Sequence, residues 1–135
     1  MLVKLLAVGV IATVPISGTV VRHFQPPACE RCAGHRGVTL KTAPEQPVVA
    51  TAGGVVEFSG SVGGRLYVVQ RLGQRVRVTY GALTSTSVQQ GQEVSAGETV
   101  GISGEFTYVS VRVGDVHVEP LRALGLGRPR LVPTM

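Results

Sequence analysis

The hydrophobic residues of this chain alternate with polar ones over short stretches and do not recur at the spacing of a helix. The clearest case is RVRVTY, residues 75–80, in which every second side chain is apolar. Period-two alternation is typical of a β-strand with one buried face. It predicts that Val76, Val78 and Tyr80 face inward and that Arg75 and Arg77 face solvent.

Further short stretches are rich in Val, Tyr, Phe and Thr, and glycine-containing turn signals separate nearly all of them. One helical turn is expected over residues 121–124. The predicted strands span residues 48–52, 54–58, 65–70, 75–80, 99–103, 107–113 and 116–119.

The most patterned segment spans residues 79–104, where Val88, Val94 and Val100 stand six residues apart with glycines between them. This spacing suits short strands joined by tight turns. The segment therefore predicts an all-β fold, a small antiparallel β barrel-sandwich.

Composition fits one turn-rich domain with a small core. The chain has 135 residues, of which 44% are hydrophobic, 16% are charged and 18 are glycine. The formal net charge of +5 favours attraction to anionic polymers or surfaces. Scattered arginines and an aromatic content of 4% argue against nucleic acid as the partner.

The N-terminus has the order of a secretory signal. Lys4 precedes an apolar run over residues 5–14, which Pro15 ends. An uncleaved anchor over residues 2–21 is the alternative, so the membrane would be contacted only through this segment. Either way the chain is expected to be exported, to the cell envelope or beyond it. The predicted organisation is a signal peptide or anchor helix at 1–22, a domain at 23–124 and a loose tail at 125–135.

Cys29 and Cys32 are the only cysteines and stand in a C-x-x-C spacing. In an exported chain this spacing favours a small disulfide. A zinc site with His35 and His23, or a redox-active pair, are the alternatives. Haem attachment would need a histidine where Ala33 stands.

Five motifs in order resemble one protein family. They are GHRGVTL from residue 34, PVVATAGGVVEFSGSV from 47, VTYGAL from 78, VQQGQEVSAGETVGISG from 88 and VSVRVGDVHVEPL from 109. Together, over about residues 24–124, they resemble the lysostaphin-like, LytM-type zinc metallopeptidases that cleave peptidoglycan cross-links. The resemblance implies the LytM, or duplicated hybrid motif, type of barrel-sandwich.

The resemblance also places the family's chemical residues on this sequence. His35 occupies the position of the first zinc ligand, and Thr39 occupies that of the aspartate ligand. Ala82 stands at the position of a catalytic histidine. Phe106 and Tyr108 stand at the His-x-His pair, of which the first is a base and the second a ligand. One of the five positions is retained, which implies a degenerate member without a cofactor.

The substitutions would turn a metal-lined groove into an apolar and aromatic one. We call this the relict groove and expect His35, Phe106 and Tyr108 to line it, with Tyr80 and Arg112 at its rim. It would either bind peptide or glycan without cleavage or be an ordinary filled core. The expected function is a non-catalytic domain that binds peptidoglycan or a cell-wall enzyme.

An active zinc peptidase with rearranged ligands is the first alternative, using Cys29, Cys32, His35 and His117. It needs reduced thiols that converge with both imidazoles. His117 is otherwise expected to be an exposed side chain on the strand face opposite its valine neighbours.

A biotinyl or lipoyl carrier barrel is the second alternative, because residues 88–101 resemble the second half of that fold's hairpin. Such carriers present a modifiable lysine on an exposed turn. Lys4 and Lys41 are the only lysines, and neither has that setting.

Overall fold

The computed structural model describes residues 14–26 and 34–124, which form nine β-strands and one short helix. Every strand pairing is antiparallel, so the all-β prediction is confirmed. The elements are β1 (Thr19–Arg22), β2 (Val38–Lys41), β3 (Pro47–Val49), β4 (Gly54–Val62), β5 (Arg65–Leu72), β6 (Val76–Thr86), β7 (Glu93–Val94), β8 (Thr99–Val113), β9 (Val116–Val118) and α1 (Pro120–Leu124).

The strands form one sheet in the order β1, β2, β8, β6, β5, β4, β7, and β3 and β9 also pair with β8. Strand β8 is 15 residues long and contacts four other strands. The sequence pattern predicted two strands here, at 99–103 and 107–113. Gly104 and Glu105 belong to β8, although neither is a Cα partner of β2, β3 or β6, and the β6–β8 register shifts here, from Gly81 opposite Tyr108 to Leu83 opposite Ser103.

The core is built almost entirely from aliphatic side chains. Val88, Val94 and Val100, the regularly spaced valines of the patterned segment, are all buried. Burial of such side chains is the main favourable term in folding. The complete buried cluster is Ile16, Val38, Leu40, Val48, Ala50, Val56, Val68, Val78, Tyr80, Leu83, Val88, Val94, Val100, Val109 and Val111.

Tyr80 is the largest of the fully buried side chains and brings a polar group into this core. Its hydroxyl donates to Gln70 Oε1 at 2.8 Å and accepts from the Thr51 backbone N–H at 3.1 Å. Gln70 Nε2 donates in turn to the Ala52 carbonyl at 2.7 Å. Burial raises the pKa of Tyr80 strongly, so the hydroxyl stays protonated and able to donate.

Residues that precede position 23, where the sequence placed the start of the domain, also pack on it. Ile16 is buried in the core, and the Pro15 carbonyl accepts from the Val49 N–H at 3.0 Å. Strand β1 pairs with β2, with Thr19 opposite Lys41. Residues 1–13, which carry most of the predicted apolar helix, lie outside the described residues. Within the described ranges no helix is long and apolar enough to cross a membrane.

The C-terminal hairpin differs from prediction in which side chains it buries. Val116, expected on an inward face, is 63% exposed, whereas His117 is half-buried and not exposed. The helical turn expected at 121–124 is confirmed as α1, whose Leu121 and Ala123 pack against the core.

We predict that Tyr80→Phe lowers the free energy of unfolding by about 1–3 kcal/mol, because it leaves the Thr51 N–H and Gln70 Oε1 buried without this partner. Urea unfolding measures the change. Tyr67→Phe is the matched control, since this residue is half-buried and its hydroxyl takes no part in the Tyr80 network, and its effect should stay within about 0.5 kcal/mol. Equal effects of the two substitutions would contradict this role for Tyr80.

Candidate functional site

The site lies on the side of the sheet that faces away from the core. Successive side chains of a strand point to opposite faces, so β8 buries Val109 and presents Phe106, Tyr108, Ser110 and Arg112 on the other side. We call this side the outer face. It carries the residues that the resemblance assigns to the relict groove, with one exception described below.

Three of the five family positions converge on the outer face. Thr39 in β2 is the cross-strand partner of Tyr108 in β8. His35 Nε2 lies 3.1 Å from Thr39 Oγ1, at hydrogen-bond distance. The His35 ring packs edge-on against the Tyr108 ring, with centroids 5.5 Å apart. Gln25 holds His35 in place through reciprocal backbone hydrogen bonds of 2.8 and 2.9 Å.

The rings of Tyr67 and Tyr108 cover the middle of the outer face. Tyr67 of β5 packs edge-on against Tyr108, with centroids 6.4 Å apart, and both rings lie over Gly81 of β6. A Cβ on Gly81 would come within 2.5 Å of Tyr67 Cε2 and 3.2 Å of Tyr108 Cδ2. A Cβ on Gly37 would collide with the Val109 carbonyl and the Tyr108 ring. The two glycines therefore allow the rings to approach the backbone closely.

The other two family positions carry no polar side-chain atom. Ala82 lies at an irregularity in the β6–β8 pairing and has a left-handed φ of 60°, which is uncommon for alanine. Phe106 is 42% exposed, and Lys41 Nζ lies 5.8 Å from its ring centroid. This end of the outer face is thus an exposed aromatic surface beside a cation.

Tyr80 does not rim the groove, contrary to expectation. It pairs with buried Val109, so its ring points into the core, on the opposite side of the sheet from Tyr108. The strict alternation of residues 75–80 already predicted that Tyr80 faces inward. Arg112 does lie on the outer face, four residues along β8 from Tyr108.

The residues at the family positions do not fit a zinc ion. His35 is a good ligand, but the Thr39 hydroxyl is neutral and weakly basic. Burial is the main cause that raises the pKa of Tyr108, which disfavours the phenolate. In residues 14–26 and 34–124, no three His, Cys, Asp or Glu side chains are grouped for metal binding. Cys29 and Cys32 lie outside the described residues.

A row of basic side chains crosses the outer face. Sequence reasoning named three of its members, Arg77, Arg112 and His117, but did not place them side by side. Cross-strand pairing aligns His117 with Arg112, Arg112 with Arg77, and Arg77 with Arg71. Glu57 bonds to two of these, with Oε1 2.7 Å from Arg77 Nε and Oε2 3.1 Å from Arg71 Nε. The Arg77 hydrogen bond is the main cause that lowers the pKa of Glu57.

Two imidazoles of the outer face are influenced by nearby arginines. Burial lowers the pKa of His35, and the positive charge of Arg22 lowers it further. Burial likewise lowers the pKa of His117, with added repulsion from Arg112 and Arg36. The outer face therefore disfavours additional positive charge. Sequence reasoning could have placed His117 beside Arg112 only by assigning the register of the β8–β9 hairpin.

Comparisons with known proteins agree with the resemblance. The profile of peptidase family M23 matches residues 33–120, well over half of the chain. The chain is also 35% identical over 81 residues to an uncharacterized metalloprotease of Haemophilus influenzae. That match covers 58% of this chain but only 17% of the relative, so the chain spans a small part of its length.

Solved structures share the fold. The catalytic domain of lysostaphin from Staphylococcus simulans matches 80% of this chain and 92% of its own, with a TM-score of 0.67 and 20% identity. A chain of the SpoIIIAH and SpoIIQ complex matches 86% of this chain and 97% of its own, with a TM-score of 0.68 and 19% identity. At these identities the likeness concerns the fold alone.

The lowered histidine pKa values predict a pH dependence of stability. The unfolded chain should bind more protons than the folded chain below neutral pH, so the free energy of unfolding should fall between about pH 7 and pH 5. We expect His35→Gln and His117→Gln each to make this decline shallower in urea unfolding. Exposed His23→Gln is the control for replacing a histidine as such. A wild-type slope in both test variants would contradict the prediction.

Proposed function

The chain belongs to peptidase family M23, and we propose that it is an exported, non-catalytic member that binds peptidoglycan at the cell envelope. One observation carries the proposal. The positions of His35, Thr39 and Tyr108 converge as a ligand set would, yet only the first of them carries a side chain that suits zinc.

Loss of catalysis follows from what hydrolysis at zinc requires. A catalytic zinc needs three protein ligands and an open position for the water that it activates. A positioned base must also accept a proton. His35 alone cannot hold the metal, and the methyl group of Ala82 and the ring of Phe106 cannot accept a proton.

Binding is supported by the surface that replaces the metal site. Phe106, Tyr108 and Tyr67 give the outer face an aromatic strip, and sugars and peptide methyl groups pack well on aromatic rings. The tyrosines retain hydroxyls that can orient a polar ligand. The bound polymer would lie across a face whose strands are held by antiparallel pairing.

Export by a signal peptide is supported by the length of the apolar N-terminal segment that lies outside the domain. Because Pro15 and Ile16 pack on the domain, the segment left for targeting ends near residue 14. Its apolar run, residues 5–14, has the length of the central region of a signal peptide and is short for a membrane span. We therefore favour a signal over the anchor at 2–21.

A cell-wall protein as partner is the second candidate. The structure of the SpoIIIAH and SpoIIQ complex contains a chain of this fold within a protein assembly. Under this second candidate, the outer face binds a protein instead of a polymer. Binding of a purified wall enzyme, with no binding of peptidoglycan, would favour this candidate.

We predict that the purified chain contains no stoichiometric zinc and releases no muropeptides from sacculi. We also predict that it sediments with the sacculi. Elemental analysis, chromatography of the digest and a sedimentation assay measure the three properties. The lysostaphin catalytic domain is the positive control for hydrolysis. One zinc per chain together with muropeptide release would show that the protein is an active peptidase.

We predict that the double substitution Thr39→Asp with Tyr108→His creates a zinc site together with His35. Three ligands in this arrangement should retain about one zinc per chain after dialysis, because a carboxylate and two imidazoles suit zinc. Thr39→Asp alone is the matched control and should lose the metal, since it supplies two ligands only. A folded double variant without zinc would mean that the three positions do not form the relict site.

A further inference from the structure

We propose that two copies of the chain pair through strand β4, antiparallel and about a two-fold axis, along residues 58–62. The partner is a second copy of the same chain, and the contact extends the sheet without covering the outer face. The pairing does not depend on what the outer face binds.

The free edge of β4 begins where its pairing with β7 ends. Strand β5 pairs with β4 as far as Val62. On the other side, β7 pairs with Gly54 and Val55 only, and two loop hydrogen bonds reach Val56. On that side, no strand in the described parts of the chain pairs with residues 58–62.

The turn after β4 determines which backbone groups face the free edge. Gly63 and Gly64 have positive φ angles of 61° and 84°, so β4 and β5 are joined by a two-residue type I′ turn. Val62 flanks this turn and bonds to β5, and the direction of the backbone groups alternates along the strand. Ser59 and Ser61 therefore point their N–H and C=O groups away from β5. No described residue bonds to these outward groups.

The loop after β6 passes on the core side of this segment without pairing with it. Ser59 faces the core, since its cross-strand partner Val68 is buried. Its Oγ donates to the Val88 carbonyl at 2.8 Å. That contact uses the side chain of Ser59 and leaves its backbone groups for a second strand.

This edge lacks the features that prevent pairing between edges. Proteins protect exposed edges with charged side chains, proline, bulges or very short strands. Strand β1 contains Arg22 and a register shift, β3 begins with Pro47, and β7 and β9 have two and three residues. Residues 58–62 read FSGSV, without a charge or a proline, and the register shift of β4 lies before them, between Val56 and Phe58. An edge of this composition accepts another strand.

The segment is complementary to itself when it pairs about Gly60. This register places Ser59 opposite Ser61 of the second copy, so the outward backbone groups form four hydrogen bonds in all. It also places Phe58 opposite Val62 of the second copy, at the closer, non-hydrogen-bonded spacing. Val62 is 57% exposed, and the Phe58 ring lies 3.2 Å from the position of a Cβ on Gly60. Pairing would cover the valine and the ring with each other.

The contact is small, so the dimer should be weak. Five residues from each strand bury less than the total of about 1,200 Å² at which stable interfaces begin. The net charge of +5 on each copy also opposes association. We therefore expect a transient dimer that forms at micromolar concentrations.

Dimerisation would place two outer faces side by side. Tyr108, Gly81, Tyr67 and Gly60 are cross-strand partners in succession, so the aromatic strip runs toward the edge at Gly60. The two-fold axis continues it into the strip of the second copy. If the outer face binds a polymer of repeated units, as proposed above, both strips can bind it at once and raise its affinity.

The test is sedimentation equilibrium of the full chain from about 5 to 500 μM, where we expect a monomer–dimer equilibrium. Ser61→Pro removes an N–H that β5 does not use, so it should weaken the dimer about tenfold while the sheet stays folded. Ser61→Ala keeps this N–H and is the matched control. Val62→Glu should also weaken the dimer, because its carboxylate would lie against the Phe58 ring. Val116→Glu alters a similarly exposed valine away from this edge and should have no effect.

Amide hydrogen exchange of the wild-type chain locates the contact and decides the matter if Ser61→Pro does not fold. Exchange at Ser59 and Ser61 should slow as the concentration rises, while exchange in β1, at the other end of the sheet, should not change. A monomer at every concentration, or a dimer that neither Ser61→Pro nor Val62→Glu weakens, would overturn the pairing. Slower exchange at Ser61 only after addition of a purified wall enzyme would assign the edge to another protein and overturn self-pairing. None of these results depends on sedimentation with sacculi, which tests the proposed function.

Discussion

Strand β8 is the constraint on which the rest of the structure depends. It pairs with β2, β3, β6 and β9, and its alternation decides what each side of the sheet contains. Val109 and Val111 enter the core, while Tyr108 and Arg112 stand on the outer face. A shift of one residue would exchange the two sets. The buried valines therefore fix the position of the candidate site as well as the fold.

The aromatic rings of the site depend on the glycines beneath them. Gly81 and Gly37 leave space that Tyr67 and Tyr108 occupy, and a methyl group at either glycine would displace a ring or the backbone. Close packing of this kind contributes many weak contacts. The tyrosines are thus partly structural.

Sequence reasoning reached the fold class and most long strands, because alternation and turn glycines are local signals. It missed β1, β2 and β7, which have two to four residues and too little pattern to detect. It divided β8 at Gly104, because a glycine within a strand pattern is interpreted as the end of the strand when the neighbouring strands are not known. These errors concern pairing between distant segments, which no local pattern encodes.

The candidate site was predictable only as far as the resemblance placed its positions. His35, Thr39 and Tyr108 meet because β2 and β8 are adjacent, and no spacing in the sequence implies that adjacency. The basic row also needs the register of four strands. A metal supplies concentrated positive charge to a groove. Here guanidiniums supply positive charge on the same sheet face. This face can therefore attract anions, but it cannot activate a water molecule as a bound metal would.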